Sequence, residues 1–369
     1  MLRRCMSVAA IRKALAAGLP RNLDQTYDQI LSQIDEAHQQ DVLKTLQALT
    51  ATHESLTLEE IVEILAVDLD SDPPIFDPDS RLLDPRSILT MCSSLVTTVK
   101  ASRWDTYPQK ENVTFLKLAH ASVADYLTQP KIGPSQFHFS TTPSRQLLAQ
   151  CCLAYLMDPE FSSGHKARKR EETAALRESH PFLMHAVNNW PKYLTKMPGD
   201  PDDFMEPRTI EILQAFFETW KTPSGGNFTF WVGMLIPDVA YEQVRKTQPL
   251  YYASSFGLTD VVQLILDSEK NIELNALGGR AISTALHVAT YRNHIDVVKI
   301  LLDQGADPNL CNESDEPPLY WANINGNQEM QDLLLKSGAT DLKGVLGRKF
   351  TLQDRLDEML LTRDFKLDE

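Results

Sequence analysis

Three segments in the C-terminal third of the chain align without gaps, and this recurrence constrains the fold more than any other feature. They read Gln248-Pro-Leu-Tyr-Tyr-Ala-Ser-Ser-Phe-Gly257, Ser283-Thr-Ala-Leu-His-Val-Ala-Thr-Tyr-Arg-Asn293 and Pro317-Pro-Leu-Tyr-Trp-Ala-Asn-Ile-Asn-Gly326. A second stretch of helical periodicity follows each one, over 260–266, 296–302 and 329–335. Equivalent alanines fall at Ala253, Ala289 and Ala322, spaced 36 and then 33 residues apart. A small residue at that position lets the first helix of a unit pack closely on its neighbour. The pairs Val261/Val262 and Val297/Val298, with Leu264, Leu301 and Leu334, form an apolar stripe on each second helix. No single unit can bury such a stripe, so the units must stack, and about three are the minimum.

The 33-residue period resembles that of ankyrin repeats, and the middle unit is nearest the family pattern. Thr284-Ala-Leu-His287 resembles the T-P-L-H turn, and Leu301-Leu-Asp-Gln-Gly-Ala-Asp-Pro-Asn309 resembles the L-L-x-x-G-A-x-x-N ending. The loop around Gly278 and Gly279 absorbs the longer first interval. The resemblance implies a helical solenoid whose concave face binds a protein ligand through loop tips and first-helix ends. Those positions are Arg280, Tyr291, Arg292, Asn312, Asp315 and Asn325. The family's histidine, a structural hydrogen-bonder at the helix start, falls on His287 and is replaced by Tyr251 and Tyr320 in the flanking units, so its network is expected to be incomplete. His287 and His294 lie seven apart with no third ligand in sight, which argues against a metal site. Beyond the repeats, Leu352, Leu356, Met359 and Leu360 make a stripe at i, i+4, i+7 and i+8, expected to cap the last repeat.

The N-terminal half predicts helices around Leu23–Ile34, Asp41–Thr50 and Thr57–Leu65, the third opening with the capping box Thr57-Leu-Glu-Glu60. An acidic, proline-rich loop over 68–79 separates these from a fourth helix that starts at Asp84-Pro85. The period then changes to two, with strands expected at 94–99 and 113–119. Helices followed by a hairpin are the order of a winged helix. Winged helices often bind DNA, but residues 41–130 hold seven Lys/Arg against fourteen Asp/Glu, and the candidate recognition helix over 86–95 offers one basic residue. Phosphate contacts need several, so protein packing is the expected role and nucleic-acid binding the alternative. His120, Ser122 and Asp125 are triad residue types, but six consecutive positions do not give the converging geometry of a triad. In the middle, Phe137–Ser140 is a strand candidate, and helices are expected over 143–157, 181–190 and 210–217.

The net charge of −14 disfavours a general nucleic-acid binder. No run of residues is apolar enough to span a membrane, and the five scattered cysteines, with no C-x-x-C spacing, read as buried or idle thiols in a reducing compartment. The expected location is cytoplasmic, with Lys166-Ala-Arg-Lys-Arg170 keeping the nucleus as an alternative. The basic stretch up to Leu23 has the look of a transit peptide, but a family pattern accounts for the same residues.

That pattern is a resemblance of nearly the whole chain, about residues 2–342, to fungal NACHT-type STAND signalling proteins. Leu2-Arg-Arg-Cys5, Ile11-Arg-Lys-Ala-Leu15 and Leu23-Asp-Gln-Thr-Tyr-Asp-Gln-Ile-Leu31 are similar to the segment after the family's nucleotide module. Ile88-Leu-Thr-Met-Cys-Ser-Ser-Leu-Val96 and Leu118-Ala-His-Ala-Ser-Val-Ala-Asp-Tyr-Leu127 resemble its winged helix, and Pro181-Phe-Leu with Trp190-Pro191 its helical spacer. The P-loop pattern G-x-x-x-x-G-K-[ST] is absent from the sequence, so no nucleotide chemistry carries over. The expected fold is mainly α: a helical linker over 1–36, a winged-helix-like domain over 37–135, a helical spacer over 136–244, ankyrin repeats over 245–342 and a capping tail over 343–369. The expected function is that of a non-catalytic interaction protein with no cofactor. Its partners would be a protein ligand on the repeats and an NTPase module supplied in cis or in trans.

Overall fold

The computed structural model describes residues 23–103, 110–129, 137–163, 170–196, 205–268, 272–341 and 344. It is mainly helical and divides into two compact units, one of residues 1–65 and 82–144, the other of residues 66–81 and 145–369. Among the described residues, no helix is long and apolar enough to cross a membrane.

In the first unit, α1 (Leu23–Leu31), α2 (Gln39–Ala51) and α3 (Leu58–Leu65) precede the short α4 (Ser87–Met91). Thr57 and Glu60 form the expected capping box: Glu60 N–H donates to Thr57 Oγ1 at 3.1 Å, and Thr57 N–H to the Glu60 carboxylate at 2.8 Å. The reciprocal bonds explain how Glu60 stays buried at the start of an apolar helix. The fourth helix is shorter than its pattern predicts, because Ser93 adopts φ 53 and the chain continues as a single 3-10 turn over Ser93–Leu95. An antiparallel hairpin follows, β1 (Val96–Arg103) with β2 (Lys110–Leu118), running from Val96 opposite Leu118 to Ala101 opposite Val113. Both strands extend further toward the turn than alternation alone suggests. Leu56 and Thr57, just before α3, pair with β2 through Leu116 N–H to Leu56 O at 2.8 Å. Val42, Leu46, Ile61, Ile64, Ile88, Leu95 and Leu116 form the core between helices and hairpin. The hairpin is followed by α5 (Ala121–Thr128).

His120 caps α5. Its Nδ1 accepts from Ser122 N–H at 3.1 Å and lies 2.7 Å from Ser122 Oγ, which in turn meets the Tyr27 hydroxyl at 2.7 Å. The imidazole thus closes a helix end. Cys92 is buried, and burial, with the nearby Asp41 carboxylate, pushes its thiol up to about 12, so it stays protonated.

The second unit begins with the acidic segment, which is structured. A two-residue ladder pairs Val67 with Phe76 and Asp68 with Ile75. Phe76 packs on Tyr155 at 4.4 Å between ring centroids, and the Arg208 guanidinium donates to the carbonyls of Leu69 and Ser71. Residues 137–140 form no strand: Phe139 N–H bonds the end of α5 at Leu127 O. Then come α6 (Thr141–Leu156), α7 (Arg170–Ser179), α8 (Leu183–Leu194), α9 (Pro207–Glu218), α10 (Gly226–Leu235) and α11 (Tyr241–Lys246). All ten residues of α10 are buried, which fits its lack of any polar face. Gly225 caps it at φ 77, where a Cβ would overlap Thr229.

Trp231 of α10 is the hub of an aromatic core. Its ring lies 5.1 Å from Trp190, 5.5 Å from Phe228 and 6.0 Å from Phe216, and its Nε1 donates to Val187 O at 2.9 Å. The same ring meets Tyr252 edge-on at 5.3 Å, carrying the core into the repeats. These are α12 (Pro249–Ser255) with α13 (Thr259–Ser268), α14 (Ala285–Tyr291) with α15 (Ile295–Asp303), and α16 (Pro318–Ile324) with α17 (Gln328–Lys336). The first helices pack α12 on α14 on α16, and the second helices α13 on α15 on α17. Ala253, Ala289 and Ala322 are buried in this contact. The stripe expected over 351–361 lies outside the described residues.

Because Trp231 joins spacer helices and first repeat, Trp231→Ala is expected to cost about 3–5 kcal/mol, read as a lower urea midpoint of the full chain. Trp231→Phe should recover part of that loss.

Candidate protein-docking face of the repeats

The repeats are locked together by polar side chains that reach across to the backbone of the next unit. In α14 the Thr284 hydroxyl accepts from His287 N–H at 3.1 Å, and the imidazole then donates from Nε2 to Glu316 O of the following repeat at 3.0 Å. His294 Nε2 donates backwards to Ser255 O at 3.0 Å. The two imidazoles therefore serve two different neighbours, and among the described residues no cluster of His, Cys, Asp and Glu could hold a metal ion. Gly257 lies against the His294 ring at φ 68, and a Cβ there would come within 2.5 Å of it.

Tyr251 stands where a histidine is expected, and it crosses to the next repeat by another route. Its ring is buried on the Gly278-Gly279 turn and its hydroxyl lies 3.4 Å from Ser283 Oγ. A Cβ on Gly279 would overlap that ring at 2.1 Å. The longer loop and its two glycines thus accommodate the tyrosine. A further ladder was not legible in the helical pattern: Asp307 N–H donates to Asn275 Oδ1 at 3.0 Å, and Thr340 N–H to Asn309 Oδ1 at 2.8 Å. The asparagine shared by the ends of the first two units, Asn275 and Asn309, was its signal.

The six positions expected to face a ligand have different surroundings. Arg280 forms an ion pair with Asp238, and Gln243 donates to its carbonyl at 2.9 Å. Tyr291 is buried and meets Trp321 edge-on at 4.6 Å, with the Arg292 guanidinium 5.9 Å from the Tyr291 ring centre. Asn312 shapes its own loop: its amide oxygen accepts from Ser314 and Glu316 N–H, both at 3.0 Å, and its amide nitrogen donates to the Glu316 carboxylate at 2.9 Å. Asn325 donates to the carbonyls of Thr290 and Tyr291 at 3.2 and 3.0 Å, tying α16 to α14. Asp315 sits exposed at a turn tip with φ 60. The structure therefore brings Tyr291, Arg292 and Asn325 together at the ends of adjacent first helices and places Arg280, Asn312 and Asp315 on the connecting loops.

His287 makes the stack sensitive to acid. Burial pushes its imidazole down from 6.5 to about 4, against the opposing pull of the Glu316 carbonyl. The unfolded chain thus takes up this proton near pH 6.5 and the folded chain only near pH 4. The contribution is complete above pH 6.5 and lost as pH falls toward 4, a cost of about 2 kcal/mol by pH 5. Urea midpoints of the full chain at pH 7 and pH 5 should show this drop, and His287→Gln should flatten it.

The family model for ankyrin repeats matches residues 250–343 in three copies. Over 308 residues, 78% of this chain and 60% of the other, the sequence is 29% identical to azaphilone pigments biosynthesis cluster protein L of Monascus ruber. It is 35% identical over 122 residues, 33% of this chain and 23% of the other, to human ankyrin repeat and SOCS box protein 16. A putative ankyrin repeat protein of Rickettsia felis is 28% identical over 100 residues, 27% of this chain and 25% of the other. The chain thus spans less than two thirds of each of these proteins. Its segment from 250 to 343 is a stack of ankyrin repeats, a module that supports protein–protein interaction.

Proposed function

We propose that this chain is a non-catalytic interaction protein, built like the regulatory and ligand-sensing half of a fungal NACHT–ankyrin protein, and that its repeats bind a protein ligand on their concave face. The observation that carries this reading is the three-repeat stack itself, with the ends of α14 and α16 and the exposed loop residues 313–315 available for recognition. The likeness to the Monascus ruber protein supports a shared architecture well beyond the repeats, since it runs over 308 residues.

The first unit fits a winged-helix-like module. Its order is helix, helix, helix, hairpin, and the segment at Leu56–Thr57 between α2 and α3 pairs with β2, as an additional strand of such a module would. In that reading residues 1–36 follow a nucleotide module, 37–135 restrain it, 136–244 are a spacer and 343–369 a tail. An NTPase module in cis or in trans would supply the P-loop that this sequence lacks. The alternative, nucleic-acid binding by the same module, is opposed by the net charge of −14 and by α4, whose five residues include no base. An enzymatic role has no support in His120 and Ser122, whose geometry serves a helix cap. A cytoplasmic location, with the nucleus as the alternative, fits the idle buried thiols.

Capture of protein partners by the immobilised full chain tests the reading. Arg292→Glu combined with Asp315→Lys should reduce capture by about tenfold or more, with an unchanged circular dichroism spectrum. Capture indifferent to both changes, or salt-resistant retention of duplex DNA in a gel shift, would overturn it.

A further inference from the structure

Ile282, in the loop between the first and second repeats, has φ 47. Left-handed backbone brings Cβ close to the following carbonyl oxygen, and a branched Cβ worsens the clash. The other non-glycine residues with positive φ among those described are Ser93, Asn112, Asn293 and Asp315, all small and polar. Asp315 lies one 33-residue period after Ile282, so the two occupy matching corners of successive loops. Aspartate suits that corner and isoleucine opposes it. Burial does not offset the strain, because Ile282 is 39% exposed and Leu277 in the same loop is 49% exposed.

The corner is held from three sides. Gly278 and Ser283 exchange both backbone hydrogen bonds at 2.9 Å, and Leu277 and Ile282 each directly precede one member of that pair. Gly279 N–H donates to Thr247 Oγ1 at 2.9 Å, and Gln243 donates to the carbonyls of Gly279 and Arg280. From the following loop, Glu313 N–H donates to Ala281 O at 3.1 Å. Strain persists where the surroundings over-determine it in this way, and it gathers at ligand sites.

We propose that Ile282 and Leu277 form a rigid apolar prong for the protein ligand, which meets it with an apolar surface bordered by Lys or Arg. This rests on the reading of the repeats as a protein-binding module; it adds a contact point and the chemistry of the partner. The basic border follows from charge. Glu273 and Glu313 are exposed, and so is Asp315 at the next corner. Arg280, the one base in residues 273–283, is already paired with Asp238. Carboxylates around an apolar contact repel an acidic partner and steer a basic one. Because the prong is already fixed, binding orders little that was free before.

The test separates stability from recognition. Ile282→Asn removes the strain and the apolar side chain together, since asparagine tolerates left-handed backbone. It is expected to raise the urea midpoint of the full chain, shifting the folding equilibrium about tenfold toward the folded state, while Leu277→Gln leaves the midpoint unchanged. A phage-displayed library of random peptides, selected against the immobilised full chain, supplies the binding probe. The expected peptides combine a large apolar residue with Lys or Arg and bind the wild-type chain about tenfold more tightly than either variant. An unchanged or lower midpoint in Ile282→Asn, acidic peptides, or no peptide that distinguishes the variants from the wild-type chain would sink the proposal. Self-association of the full chain that disappears in Ile282→Asn would make a second copy the occupant and also count against it. Peptides blind to positions 277 and 282, yet weakened by Arg292→Glu with Asp315→Lys, would remove the prong and leave the ligand-binding role standing.

Discussion

Polar side chains of one repeat in this protein reach across to backbone carbonyls of its neighbour. His287 reaches the Glu316 carbonyl, His294 the Ser255 carbonyl, and Asn325 the carbonyls of Thr290 and Tyr291. A hydrogen bond of this kind contributes about 0.5–1.5 kcal/mol net, so a unit detached from the stack loses these bonds along with its apolar contact. The same alanine carbonyl closes each first helix: Leu258, His294 and Asn327 N–H bond to Ala253, Ala289 and Ala322 O at 3.0, 2.8 and 3.2 Å. Local geometry repeats from unit to unit, and the side chains between units set the stacking.

The stack does not begin abruptly. Trp231, Phe228 and Tyr252 carry the aromatic core of the spacer directly into the first repeat. Gln243 of α11 donates to the carbonyls of Gly279 and Arg280, holding the first connecting loop from the same side. The spacer thus gives the first repeat the neighbour that a solenoid end lacks.

Much of the repeat architecture was legible because its signal is periodic. Alanine, valine pairs and leucines recur at fixed spacing, and each has one physical use. The reach of Tyr251 across a widened glycine turn was only half legible: the sequence showed the substitution and the extra loop, while their fit depends on a ring meeting a backbone 28 residues away. The acidic segment over 68–79 read as a loop on composition, yet Phe76 and Arg208 anchor it through contacts distant in sequence. The fourth helix was overextended for a different reason, since one left-handed residue, Ser93, leaves no trace in the apolar pattern.

By itself the sequence determined the paired helices of the repeats, which face of each is apolar, and that three similar units must stack, because these follow from spacing along one chain. The helices α7, α10 and α11 were not read from it. Tertiary structure decided how the six ligand-facing candidates are used. Asn325 bonds backbone carbonyls that the linear order does not place beside it, and Tyr291 is buried against Trp321 from the next repeat. Hydrogen-bond partners and burial depend on distances between separate turns of the chain, and those distances exist only once the repeats have closed on one another.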